Sequence, residues 1–105
     1  MVSTARRAAD RKPQPPPAIG TALRTRLRFM EAVLMWEGEL YRKRVARVFG
    51  VTENHLSKDI DFYQSNHPGN LDYDLSRKRY LPRKGFKPHY SSGEPEEYLG
   101  MLRTY

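Results

Sequence analysis

Apolar residues recur along this chain with two distinct periods. Leu23, Leu27, Met30 and Leu34 fall at i, i+4, i+7 and i+11, with Phe29, Val33 and Trp36 forming a second stripe beside them. This predicts a helix opening at Gly20 or Thr21, with Thr21 a candidate cap, and running to about Trp36. Its buried face is wide, which marks it as the core helix, and its polar side carries Arg24, Arg28 and Glu31. Gly38 is the expected C-cap, and Leu40 anchors the connection that follows.

From Tyr41 to Gln64 the pattern predicts two short helices joined by a tight turn. Gly50 supplies the turn, because glycine enters the left-handed region without a Cβ clash. Thr52 then caps the second helix, and Glu53 lies in its first turn, where the helix dipole favours negative charge. Val45, Phe49, Val51, Leu56 and Ile60 face inward. Ala46, four residues before Gly50, is small enough for two helices to cross steeply. This is a helix-turn-helix pattern, although the same spacing also suits an ordinary αα-hairpin. Asp59 lies beside the apolar face, as a cap or as partner to an arginine at the core edge, and Phe62 or Tyr63 closes the core.

Asn66 to Asn70 reads as a loop, since Pro68 cannot continue a helix. The period then changes to two. Leu71–Asp74 and Arg79–Leu81 alternate like half-buried strands, with Leu75 to Lys78 as the turn. That register sets Tyr73 opposite Tyr80 on the inner face and Asp74 opposite Arg79 on the outer face, a favourable cross-strand charge pair. A basic turn from Arg83 to Pro88 carries Phe86 back to the core. Ser92 as a candidate cap, Pro95, Glu96 and Glu97 open a short terminal helix whose stripe is Tyr98, Leu99 and Leu102. The expected fold is mainly α with a small antiparallel β-hairpin: a winged helix-turn-helix with a three-helix core, a wing and a C-terminal helix. Its expected organisation is a disordered, basic, Pro-rich arm over 1–18, the domain over 20–90, and a C-terminal linker helix over 91–105.

Composition narrows the function. The 105 residues include no cysteine, which excludes a disulfide framework and a thiolate metal site. No apolar run approaches the ~20 residues of a membrane span. No apolar segment follows the N-terminal arginines, so no secretory signal is predicted and a cytoplasmic, nucleoid-associated protein is expected. The net charge of +7 is concentrated rather than spread. Arg6, Arg7, Arg11 and Lys12 occupy the arm; Arg77, Lys78, Arg79, Arg83, Lys84 and Lys87 follow the helix pair. A phosphate backbone is the commonest partner of such a pattern.

The polar residues at the start of the second paired helix suit base reading, being short donors and acceptors on an exposed face. The candidate base-reading residues are Thr52, Asn54, His55, Ser57 and Lys58, with Asp61 on the same face. The candidate phosphate-binding residues are Arg42, Lys43 and Arg44 on the first paired helix, and Arg77, Lys78 and Arg79 on the wing. The predicted partner is double-stranded DNA, with no cofactor. The alternative is a winged-helix adaptor that binds protein without reading bases. An enzyme is not expected, because His55, His67 and His89 lack metal-ligand spacing and no catalytic cluster is evident.

The chain resembles the N-terminal winged helix-turn-helix of WYL-domain transcriptional regulators found with bacterial phage-defence loci such as BREX and CBASS. The resemblance rests on RLRFMEAVLMWEGELYRKRVARVFGV (Arg26 to Val51), LSKDIDFY (Leu56 to Tyr63), NLDYD (Asn70 to Asp74), KRY (Lys78 to Tyr80) and F-x-P at Phe86 to Pro88. It covers about Leu23 to Leu102, and its specificity lies in the order and spacing of these segments. It implies a homodimeric repressor that autoregulates a defence operon at an inverted repeat. In that family the WYL domain binds a ligand, a nucleic-acid or nucleotide signal, that controls DNA affinity. This sequence ends at Tyr105, before those sensing and dimerising parts, so ligand control is not carried over to its residues. A DNA-binding fragment and a stand-alone module are both compatible with that ending.

Overall fold

A computed structural model describes residues 18–105. The arm expected over 1–18 lies, apart from Ala18, outside the described residues. Six elements follow in order: α1 (Thr21–Glu37), α2 (Arg42–Phe49), α3 (Glu53–Asn66), β1 (Leu71–Asp74), β2 (Arg79–Pro82) and α4 (Pro95–Thr104). This is the mainly helical winged arrangement expected from the sequence.

Helix α1 is the centre of the core. Leu27, Phe29, Met30, Ala32, Val33 and Leu34 are buried, and Val45, Ala46, Leu56, Ile60 and Tyr63 pack from α2 and α3. Gly20, not Thr21, occupies the N-cap of α1, and no side chain caps it. Gly38 ends the helix in the left-handed region at φ +80°. Gly50 makes the helix-turn-helix bend at φ +65°, and its N–H is directed to the carbonyls of Ala46 and Arg47. Thr52 caps α3, its hydroxyl accepting the His55 N–H at 2.9 Å.

The two strands pair antiparallel in the expected register, Tyr73 with Tyr80 and Asp74 with Arg79. Their rings are 4.7 Å apart, but only Tyr80 is half-buried; Tyr73 stays exposed because no core element reaches it across the outer strand. Leu40 adds a bridge that the alternation did not reveal. Its N–H donates to the Tyr80 carbonyl and its carbonyl accepts the Tyr80 N–H, both at 2.9 Å. The wing is thereby attached to the connection before α2. At its turn, Asp74 Oδ1 accepts the N–H groups of Ser76 and Arg77 at 3.1 Å, and Lys78 adopts φ +55°.

Glu31 corrects the amphipathic reading of α1. It is fully buried rather than on the polar side. Its carboxylate accepts the N–H groups of His89, Tyr90 and Ser91 at 2.6–2.9 Å, and the Tyr63 hydroxyl at 2.7 Å. Four donors replace the water that burial removes, which is the condition for keeping a carboxylate inside. Burial and the nearby Glu31 charge push the Tyr63 hydroxyl up, so it remains a donor. Asn70 extends the network, donating to Tyr63 Oη at 2.9 Å and to the Lys87 carbonyl at 2.8 Å.

Helix α4 folds back across α1. Met101 is buried, Tyr98 stacks beside Trp36 with centroids 6.3 Å apart, and the Tyr105 ring contacts Phe29 and Phe49. Glu94 occupies its N-cap, while Ser92 Oγ instead accepts the Glu94 N–H in the preceding turn.

Candidate nucleic-acid interface

The start of α3 stands out from the core because its apolar residues, Leu56, Ile60 and Tyr63, all turn inward. Thr52, Asn54, His55 and Lys58 are exposed as expected, whereas Ser57 is half-buried. They are not equally free. Asn54 and Lys58 make no side-chain hydrogen bond or ion pair among the described residues. The Thr52 oxygen is occupied by the cap, leaving its hydroxyl proton to donate. Ser57 Oγ accepts from Arg42 Nη1 at 3.0 Å. His55 meets Arg26, whose Nη2 lies 3.1 Å from its Nε2.

Arg26 is the core-edge arginine that Asp59 called for. Its Nε and Nη2 reach the two Asp59 oxygens at 2.5 and 3.2 Å, with both side chains almost fully covered. This fork joins the middle of α3 to α1, since a planar guanidinium matches a carboxylate at two points. Sequence reasoning did not single out Arg26, because it sits between the two apolar stripes of α1 and reads as one more surface cation.

The six candidate phosphate ligands divide into three groups. Lys43, Arg77 and Lys78 are exposed, without an ion-pair partner among the described residues. Arg42 spans α2 and α3, donating to Ser57 and, through Nη2, to Glu53 at 3.2 Å. Arg44 is drawn to Glu37 at 2.5 and 3.1 Å, and Glu37 also accepts the Tyr98 hydroxyl at 2.7 Å. The Arg44 bond holds the Glu37 carboxyl below its ordinary range. Arg79 pairs with Glu39, its side chain only 14% exposed. The expected charge pair between Asp74 and Arg79 does not form: Arg79 turns to Glu39, while the Ser76 hydroxyl and the turn N–H groups hold Asp74 and lower its pKa.

A crevice of about 240 Å³ opens between the wing and the first turns of α2 and α3. Arg42, Lys43, Arg77 and Lys78 line it, together with Glu53 and the tyrosines Tyr41, Tyr73 and Tyr80. Four of the six predicted phosphate ligands therefore share one cleft. Tyr41 and Tyr73 were not anticipated, though both are exposed; the Tyr73–Tyr80 register was the available signal. Cations interleaved with phenol rings can bind a sugar–phosphate strand through charge, hydroxyl donors and ring faces.

Among the described residues no group of acidic, histidine or cysteine side chains is placed to hold a metal ion. No helix is long and apolar enough to cross a membrane among the same residues.

A DNA-binding transcriptional repressor CapW of Escherichia coli (strain KTE188) is 35% identical over 77 residues, covering 73% of this chain and 26% of its own length. The CapW repressor of Pseudomonas aeruginosa is 32% identical over 77 residues, with the same coverage. That of Stenotrophomonas maltophilia is 31% identical over 78 residues, covering 74% of this chain and 26% of its own. The chain thus spans about a quarter of the length of these relatives. The BrxR transcriptional regulator winged helix-turn-helix domain matches residues 22–104, across α1, the wing and α4. The chain belongs to the family of BrxR-type winged helix-turn-helix domains of transcriptional regulators.

Proposed function

We propose that this chain binds double-stranded DNA in a sequence-specific manner, as the DNA-reading part of a transcriptional repressor. Helix α3 enters the major groove, and the wing lies on the backbone or in the adjoining minor groove. The observation that carries this reading is the exposed polar start of α3 beside the basic, tyrosine-lined crevice. Asn54, His55 and Lys58 are the principal base readers, with Thr52 and Ser57 at the margin. Lys43, Arg77 and Lys78 hold phosphate, supported by Arg42. Arg44 and Arg79 serve mainly to join elements, since both already face carboxylates.

The resemblance to regulators of phage-defence loci supports an autoregulatory role at such an operon, on an inverted repeat read by two copies. It also supports a place on the nucleoid. The test is selection of bound duplexes from a random pool by the 105-residue chain, followed by titration of the winner at two salt concentrations. A shared half-site and a steep salt dependence are expected. A flat response to duplex and salt would favour a protein-binding adaptor.

A further inference from the structure

The Arg26–His55 contact fixes more than the position of a ring. Arginine has five N–H donors and no acceptor, and it stays charged in proteins. Two donors of Arg26 are directed to Asp59, and Nη2 also faces His55 Nε2 at 3.1 Å. A hydrogen bond at that distance requires His55 Nε2 to be the acceptor, hence unprotonated. The ring proton then belongs on Nδ1, which makes no hydrogen bond among the described residues. The His55 side chain remains 51% exposed. The Asp59 oxygen nearest to Nε2 is 3.9 Å away, too far to draw a proton onto that nitrogen. The Arg26 and Asp59 side chains are only 12% and 9% exposed, so water competes little for the fork.

We infer that Arg26 is a positioning residue for base recognition: it holds His55 as the neutral Nδ1–H tautomer, so that His55 offers the duplex a donor and no acceptor. The partner is then an acceptor on a base edge in the major groove, such as purine N7, guanine O6 or thymine O4, and not the amino group of cytosine or adenine. The inference rests on the proposed entry of α3 into the major groove. Asp59 sets the fork, Arg26 carries it to the ring, and His55 makes the contact.

The test has two arms. Long-range proton–nitrogen correlation on the free 105-residue chain at neutral pH reports the tautomer of His55. Nδ1 is expected in the protonated region and Nε2 in the unprotonated one. Because Arg26→Met alone would strand a buried carboxylate, the fork is removed as the pair Arg26→Met with Asp59→Leu, which leaves no unpaired charge. In that variant His55 should shift toward the Nε2–H form that unconstrained histidine favours. A protonated Nε2 in the unaltered chain overturns the inference.

The second arm compares selected duplexes. His55→Ala identifies the base pair that His55 reads, by a loss of preference there of at least fivefold. The paired variant should relax the same position while leaving the preferences lost in Asn54→Ala intact. An unchanged preference in His55→Ala, or one for a donor edge, overturns the inference while DNA reading by α3 stands. A selection that enriches no sequence in the unaltered chain overturns both, and the tautomer result then shows whether the Arg26 contact itself was correct.

Discussion

Asp74 and Arg79 face one another in the register of the wing, yet form no ion pair. Asp74 closes the turn at its own end, and Arg79 crosses to Glu39, beside the Leu40 bridge. Arg79 therefore fastens the base of the wing, while Arg77 at the tip is exposed. Arg79→Ala should lower stability by roughly 1–3 kcal/mol, since it removes a largely covered hydrogen-bonded partner of a carboxylate. Urea unfolding checks this. In DNA titrations Arg77→Ala should weaken every sequence alike and reduce the salt slope by about 1.

Asn54→Ala should behave differently from Arg77→Ala. Asn54 has no partner in the protein among the described residues, so folding stability should change little. Discrimination at one base pair should fall by roughly 1–3 kcal/mol. Equal losses on selected and random duplex would count against base reading by this face.

Glu31→Ala should be among the most damaging single changes, because it strands three backbone N–H groups and the Tyr63 hydroxyl. A loss of about 3–5 kcal/mol is expected. Glu31→Gln keeps one oxygen acceptor but turns an amide N–H₂ toward donors, so it should rescue only part of that loss. Chemical denaturation of the two variants side by side gives the comparison.

Acid should weaken the fold through His67. Burial, with a smaller contribution from the His89 ring stacked 3.9 Å away, lowers its pKa from 6.5 to about 4. Between those values the unfolded chain binds more protons than the native one, so stability falls as pH drops from 6.5 toward 4. Above 6.5 this group leaves stability flat. The full effect is on the order of 3 kcal/mol. Unfolding at pH 7 and pH 5 should show it, and His67→Phe should flatten that part of the profile.

Thr52→Ala removes the hydroxyl that accepts the His55 N–H, and should cost about 1 kcal/mol of stability. Thr52→Ser should retain it. Thermal unfolding distinguishes the two, since 1 kcal/mol moves the midpoint of a domain this size by roughly 4–8 °C.

The elements were legible because their signals are local. Gly38, Gly50 and Thr52 mark their boundaries through their own φ values and hydroxyl chemistry, and two-residue alternation set the wing register. The partners of charged groups were not legible. Glu31 looks like a surface carboxylate beside Arg28, and its donors arrive from far along the chain: the Tyr63 hydroxyl 32 positions later and residues 89–91 at 58 or more. Arg26, Arg44 and Arg79 are likewise decided by carboxylates brought near in space. Helical periodicity ranks such residues as polar and carries no information on which of them find a counter-charge.

The buried Glu31 carboxylate grips the segment leading into α4 and, through Tyr63, the far end of α3. A twist applied to α4 would thus be delivered to the duplex-facing helix as a rotation of the whole body, not absorbed at a hinge. In the proposed arrangement of two copies on one inverted repeat, a signal arriving by that route would change DNA affinity by re-aiming two intact reading heads relative to each other, with no unfolding inside either one.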